Sequence, residues 1–152
     1  FSLRYEVSLT GESLASTLHI TNSGETPFDF QALLHTYLRV PEIKDVKVKG
    51  FEGMSFRDQL VDNLESVDDR PEAVFEKEVD RVYSGAIPDV SVVGSTSVTK
   101  TCVKKGPATE EESVPVDVVL WNPWVEKAQR LADFGDQEFH SMVCIEPGLV
   151  SK

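Results

Sequence analysis

Ser2-Leu3-Arg4-Tyr5-Glu6-Val7-Ser8-Leu9 places an apolar side chain at every second position, turns at Thr10-Gly11-Glu12 and resumes over residues 14–21. A repeat of two is that of a half-buried strand, and two such runs around a short glycine turn predict an antiparallel hairpin. A second turn is expected at Asn22-Ser23-Gly24-Glu25-Thr26-Pro27. Residues 28–40 follow as a third strand, with Phe28, Phe30, Ala32 and Leu34 on one face and Leu33 and Tyr37 on the other. Apolar groups on both faces predict cover from both sides.

Further along, the pattern predicts a short strand over 46–48, a turn over 50–53 and an acidic loop over 62–69. A single strand then runs from Pro71 through Phe75, Val79 and Val82 to Ser84-Gly85. Residues 90–93 and 98–103 form a hairpin across Gly94-Ser95, and a polar loop over 106–112, with the acidic run Glu110-Glu111-Glu112, precedes a strand over 114–121. One helix is expected, over 125–132, because Pro123 stands before it and Gly135 beyond it. The last strand runs over 139–145 and stops at Pro147-Gly148. Short turns and scarce helices make an all-β antiparallel sandwich the expected architecture.

At 152 residues the chain is the size of one domain. Phe1 is not an initiator methionine and lies directly in a strand pattern, so a preceding N-terminal part is expected. The formal charge of −11, from 26 acidic against 15 basic residues, repels nucleic acid and anionic lipid, and no basic cluster offsets it. Neither is an expected partner. No apolar run approaches membrane-spanning length, and no signal peptide or Asn-x-Ser/Thr sequon occurs, so the cytosol is the expected compartment. Cys102 and Cys144 are flanked by apolar residues and read as buried reduced thiols.

The three histidines, His19, His35 and His140, lack the spacing of a metal pair, so no metal site is expected. No Gly-x-Ser-x-Gly elbow and no glycine-rich phosphate loop is present. His35 falls on the third strand, facing away from Leu34, where a histidine is either a satisfied core residue or a site residue. Glu146 ends an apolar strand before Pro147 and Gly148: it is either a solvated carboxylate or one whose pKa desolvation raises toward neutrality. Trp121 and Trp124 read as core or rim packing before sugar platforms, with packing expected for at least one, and Asn122 between them can bond the turn at Pro123 or a substrate hydroxyl.

Five strings occur in order along the chain: His35-Thr36-Tyr37-Leu38, Glu78-Val79-Asp80-Arg81-Val82-Tyr83, Val119-Leu120-Trp121-Asn122-Pro123-Trp124, Asp133-Phe134-Gly135-Asp136 and Cys144-Ile145-Glu146-Pro147-Gly148. Each is weak alone. Together they resemble the glucose-6-phosphate 1-epimerase (hexose-6-phosphate mutarotase) branch of the aldose 1-epimerase family. Leu38 departs mildly from that branch, which usually has phenylalanine there. The resemblance implies a galactose-mutarotase-like β-supersandwich, of which residues 1–152 form the C-terminal portion of a single domain. It also implies a cytosolic isomerase, monomeric when complete, that acts on a hexose 6-phosphate with no metal or organic cofactor.

By motif match, His35 corresponds to the general acid on the ring oxygen and Glu146 to the base on the anomeric hydroxyl. Asp80 corresponds to a carboxylate that bonds sugar hydroxyls, and it is expected near His35, favouring the imidazolium. Asn122 and Trp124 are further candidate substrate contacts. Lys127 is the first candidate for the phosphate, ahead of Arg39 and Arg81, because the branch's own phosphate-binding arginine motifs have no match here. The alternative from another class is a non-catalytic carbohydrate-binding or interaction sandwich with a tryptophan platform, or an inactive fragment.

Overall fold

The computed structural model describes residues 1–85, 89–94, 99–101 and 116–150. Every strand pairing among them is antiparallel. The strands in chain order are β1 (Ser2–Leu9), β2 (Leu14–Thr21), β3 (Ala32–Leu33), β4 (Tyr37–Arg39), β5 (Lys47–Lys49), β6 (Ser55–Asp58) and β7 (Leu64–Val67). They continue as β8 (Ala73–Val74), β9 (Val79–Tyr83), β10 (Val90–Val93), β11 (Thr99–Thr101), β12 (Asp117–Asn122) and β13 (Met142–Leu149). The one α-helix among the described residues, α1 (Trp124–Ala128), is far too short to cross a membrane.

The strands fall into a β1–β2 ribbon, a four-stranded sheet ordered β11-β10-β5-β8 and a seven-stranded sheet ordered β3-β13-β12-β9-β6-β7, with β4 also paired to β13. Val48, Val90 and Val92 of the smaller sheet, with Val46 just before β5, are buried in one cluster with Tyr83, Val118, Leu120, Val143 and Ile145 of the larger. Burial of such large side chains contributes about 1.5–3 kcal/mol each. Phe51 stacks on Tyr83 at 3.9 Å between ring centroids, closing the core beneath β9. The expected antiparallel all-β sandwich is the observed one.

The hairpin expected at the N-terminus forms with full register from Ser2 opposite Thr21 to Leu9 opposite Leu14. Its two faces differ sharply. Leu3, Tyr5, Val7 and Leu9 stand opposite Ile20, Leu18, Ser16 and Leu14, whereas the other face carries Arg4, Glu6, Ser8, His19 and Thr17. The apolar face is largely exposed, with Phe28 and Phe30 exposed as well. Cover on both sides of residues 28–40 is therefore not found.

Several boundaries differ from expectation. Residues 28–40 are not one strand: β3 and β4 are separate short pieces on β13, and His35 lies in the gap between them. The strand expected from Pro71 to Val82 divides into β8 and β9, which join different sheets. The acidic loop over 62–69 is instead a turn plus strand β7, with Asp62 and Asn63 at φ of 48° and 55°, a left-handed bend that these residue types tolerate. β6 has no counterpart in the sequence pattern. The helix is shorter than expected, residues 138–141 form a 3₁₀ turn, and β13 runs through Pro147 and Gly148 without stopping. The 90–93 hairpin pairs with Thr99–Thr101, and its remaining positions, the loop over 106–112, residues 114 and 115, and Cys102 lie outside the described residues.

Asp68, expected in an acidic loop, is buried. It accepts hydrogen bonds from Arg70 Nε and Nη2, both at 2.7 Å, and from the Tyr83 hydroxyl at 2.6 Å, with Arg81 Nη1 at 3.6 Å. Burial pushes its pKa up, but these donors outweigh burial and hold it below the ordinary value. A depressed carboxylate stabilises the fold above its unfolded pKa, and that contribution is lost as pH falls through the lower folded value. Asp68→Ala is expected to destabilise the protein by about 3 kcal/mol, since it strands buried donors. Urea unfolding at neutral pH measures this, and the difference from wild type should shrink in strong acid.

Candidate active site

The seven-stranded sheet builds a site from two cross-strand rows on one face. Register aligns Glu146 of β13 with Val119 of β12, Val82 of β9 and Arg57 of β6. The neighbouring row runs from Tyr37 of β4 through Cys144, Trp121 and Asp80, with Gln59 bonded to Asp80 at its far end. Residues two apart on a strand share a face, so Cys144 and Glu146, and likewise Asp80 and Val82, project together. A cavity of about 320 Å³ lies against this face, lined by residues that include His35, Arg57, Gln59, Asp80, Trp121 and Glu146. That volume is at the lower end of the range for small-molecule sites.

His35 reaches this cavity from the gap between β3 and β4. β3 approaches β13 closely because residue 148 is glycine: a Cβ there would lie 2.5 Å from the Ala32 carbonyl oxygen and 2.7 Å from a Leu33 methyl. Leu34 N–H then donates to the Pro147 carbonyl, and the chain passes Glu146 before re-pairing at β4. His35 Nδ1 meets Glu146 Oε1 directly, while Nε2 faces the Tyr37 hydroxyl at 3.2 Å and the ring edge abuts Trp121. The imidazole side chain is 52% exposed and the carboxylate 4%. One partner faces solvent and the other the sheet.

Burial raises the pKa of Glu146, and the nearby Asp80 charge adds to this, against the lowering influence of His35 and the Cys144 thiol. Burial likewise raises Asp80, opposed by the Gln59 amide, whose Nε2–H donates to Oδ1 at 2.7 Å. Cys144, buried beside Glu146, has its thiol pKa pushed up strongly. The site thus holds an ionisable pair in contact, a second carboxylate, Asp80, on β9 two strands from β13, and a cation, Arg57, three interstrand steps or about 14 Å from the Glu146 backbone.

The other expected site residues lie elsewhere. Asn122 is fully buried: its Nδ2 donates to the Phe139 and Met142 carbonyls at 2.9 and 3.0 Å, and its Oδ1 accepts from Trp124 N–H. Its amide holds Trp124 at φ 55°, so the expectation of a substrate contact gives way to a structural clamp. Trp124 packs on Phe139 with Lys44 over its ring, whereas Trp121 is the indole in the cavity. Lys127 does not line the cavity, although its charge reaches Asp80. Arg39 is exposed on β4, and Arg81 faces Asp68 and the Phe56 ring. Asp80 is not the carboxylate against His35, because Glu146 is. Arg57 on β6 and Gln59 just after it carry no sequence signal of their own, because four residues are too few to show alternation, and Tyr37 is marked in the sequence only as a member of the His35 string.

The family model for aldose 1-epimerase matches residues 1–152. The chain belongs to the aldose 1-epimerase family. A Cenchrus ciliaris protein named "Putative glucose-6-phosphate 1-epimerase" is 36% identical over all of this chain and 44% of its own length. An Escherichia coli (strain K12) protein of the same name is 27% identical over 91% of this chain and 45% of its own. The chain therefore spans about half the length of the curated relatives it matches. Among solved structures, a "putative mutarotase (YeaD)" from Salmonella typhimurium superposes with a TM-score of 0.63 and 24% identity, over 82% of this chain and 39% of that one. The structure of HI1317 gives a TM-score of 0.63 at 15% identity, over 97% and 58%. These two likenesses show the fold, an all-β mutarotase-like sandwich.

Asn122→Ala leaves the buried Phe139 and Met142 carbonyls without their side-chain donor, which is expected to cost about 1–3 kcal/mol. A thermal melt should fall accordingly, while the circular dichroism of the folded protein below its melting temperature should match that of wild type.

Proposed function

We propose that this chain is the C-terminal portion of a mutarotase-like domain that interconverts the α and β anomers of a hexose 6-phosphate such as glucose 6-phosphate. The observation that carries the reading is the contact of a solvent-facing histidine with a buried carboxylate in a sugar-sized cavity, from residues far apart in the chain. The names of the relatives agree with it.

In the proposed reaction, Glu146 takes the proton of the C1 hydroxyl while protonated His35 gives one to the ring oxygen, and the C1–O5 bond breaks to an open aldehyde. Rotation about C1–C2 presents the other carbonyl face. Reversal of both transfers closes the opposite anomer, so the two residues exchange roles each turnover. The sugar must part the His35–Glu146 contact to be acted on, and the half-exposed imidazole is the partner free to move. Val119 and Val82 then provide an apolar floor, Trp121 a wall, and Asp80, steadied by Gln59, an acceptor for hydroxyls. Arg57 and His35 are the basic side chains of the cavity wall, and they supply its positive charge in place of Lys127.

The exposed face of the β1–β2 ribbon supports the reading of residues 1–152 as part of a larger domain. Two strands with one open apolar face have marginal stability in water, and the relatives carry more chain than is matched here. Joined behind the preceding segment of the Cenchrus ciliaris relative, the chain should lose dye binding to exposed apolar surface and gain anomer exchange. Full exchange by residues 1–152 alone would overturn this part.

Each positioned proton transfer is commonly worth ~10²–10⁴-fold. In that joined protein, His35→Ala and Glu146→Gln are each expected to slow exchange by about that factor, read by NMR exchange between anomer signals. Binding that survives without any wild-type exchange would favour the carbohydrate-binding alternative. Because Glu146 must be ionised to accept a proton and its pKa is raised, the acid limb of the kcat/KM profile should lie above the ordinary glutamate range.

A further inference from the structure

Cys144 takes no part in the proton transfers above, yet it shares the face of β13 with Glu146 and is buried beneath the cavity floor. One ligand atom from each of His35, Cys144 and Glu146 lies within 4.8 Å of the other two. We propose that these three residues form a binding site for a thiophilic divalent cation of the zinc class, and that occupying it blocks the His35–Glu146 pair.

The donor chemistry is specific. Imidazole nitrogen, thiolate sulfur and carboxylate oxygen are all zinc ligands, and three of them leave a fourth position open toward the cavity. Ligand atoms around a tetrahedral zinc stand roughly 3.5 Å apart at ordinary bond lengths. The widest separation in the cluster must therefore shrink by about an ångström and the His35–Glu146 contact must open by a similar amount, movements that the half-exposed imidazole can make. The outer shell fits as well. A metal-ligating histidine donates its second ring N–H to a fixed acceptor, and His35 Nε2 faces the Tyr37 hydroxyl at 3.2 Å. In that tautomer Nδ1 turns its lone pair inward, toward Glu146 Oε1, a buried oxygen with no aligned hydrogen-bond donor. Binding exchanges the thiol proton of Cys144 for the cation and releases that proton to solvent.

The binding claim stands on its own; the inhibition claim rests on the proposed anomer exchange. The test uses Cys102→Ser protein, so that Cys144 is the remaining thiol of the chain's two. Co²⁺, a spectroscopic stand-in for zinc, is expected to bind one per chain with a thiolate-to-cobalt charge-transfer band that Zn²⁺ displaces. Adding Cys144→Ser should abolish the band and weaken Zn²⁺ binding by calorimetry at least tenfold. Tyr37→Phe should weaken it 10–100-fold with the band retained. Absence of the band, or Zn²⁺ affinity unchanged by Cys144→Ser in a protein whose circular dichroism is native, overturns the site. In the joined protein Zn²⁺ should slow exchange, reversibly with a chelator. If metal-free protein shows no exchange, the proposed function fails while the titration still judges the cation site.

Discussion

A carboxylate placed in the middle of an apolar strand must be protonated, hydrogen-bonded or met by a positive group, because its charge is costly away from water. Glu146 sits in that position on β13, between Ile145, which faces the core, and Pro147. Everything distinctive about this face follows from how that cost is met. His35 comes down on the carboxylate from the gap between β3 and β4, Cys144 offers a thiol from the same strand, and Asp80 stands close enough to be felt as a like charge. The raised pKa of Glu146 is the remainder of that balance.

The placement of His35 depends in turn on backbone more than on side chains. β13 pairs with β3 over Gly148 and Leu149, and with β4 over Met142 to Cys144, so the chain between the two has to bridge the stretch opposite Glu146. A side chain at residue 148 would lift β3 off the sheet. A proline at 147 is compatible with pairing there because a strand residue presents its N–H to one neighbour only, and the Pro147 carbonyl still accepts from Leu34. Proline and glycine, read from sequence as punctuation ending the strand, are what allow a neighbour to come close and carry the histidine in.

Alternation made the β1–β2 ribbon, β10 and β12 legible, because each repeats apolar and polar, or buried, positions over enough residues to be distinguished from noise. It failed where strands are short. β3, β4 and β8 have two or three residues, too few for any period, and the apolar residues between Phe75 and Val82 gave no sign that the chain changes sheets at 75–78. The five family strings marked His35, Asp80, Trp121 and Glu146, all of which line the cavity. Arg57 and Gln59 carried no such mark, since Ser55–Asp58 is a polar, four-residue strand whose neighbour is set by tertiary register alone. Asn122 and Trp124 show the converse: they belong to a recognisable string, yet one is consumed in bonding the turn and the other packs on Phe139.

The arrangement of charge across the face also explains what kind of ligand it suits. Glu146 and Asp80 stand in adjacent rows on strands β13 and β9, with β12 between them, and Val119 and Trp121 fill the interval with apolar surface. Two carboxylates whose pKa burial raises, with such a floor between them, disfavour an anion between them and favour hydrogen-bond donors. Any negative group on the ligand has to lie toward Arg57 or His35, at the ends of the row, because the chain as a whole carries −11 and the field elsewhere repels it. The order of the strands therefore sets the charge pattern of this face: Glu146 and Asp80 stand two strands apart with Val119 and Trp121 on the strand between them, and Arg57 lies at the far end of the Glu146 row.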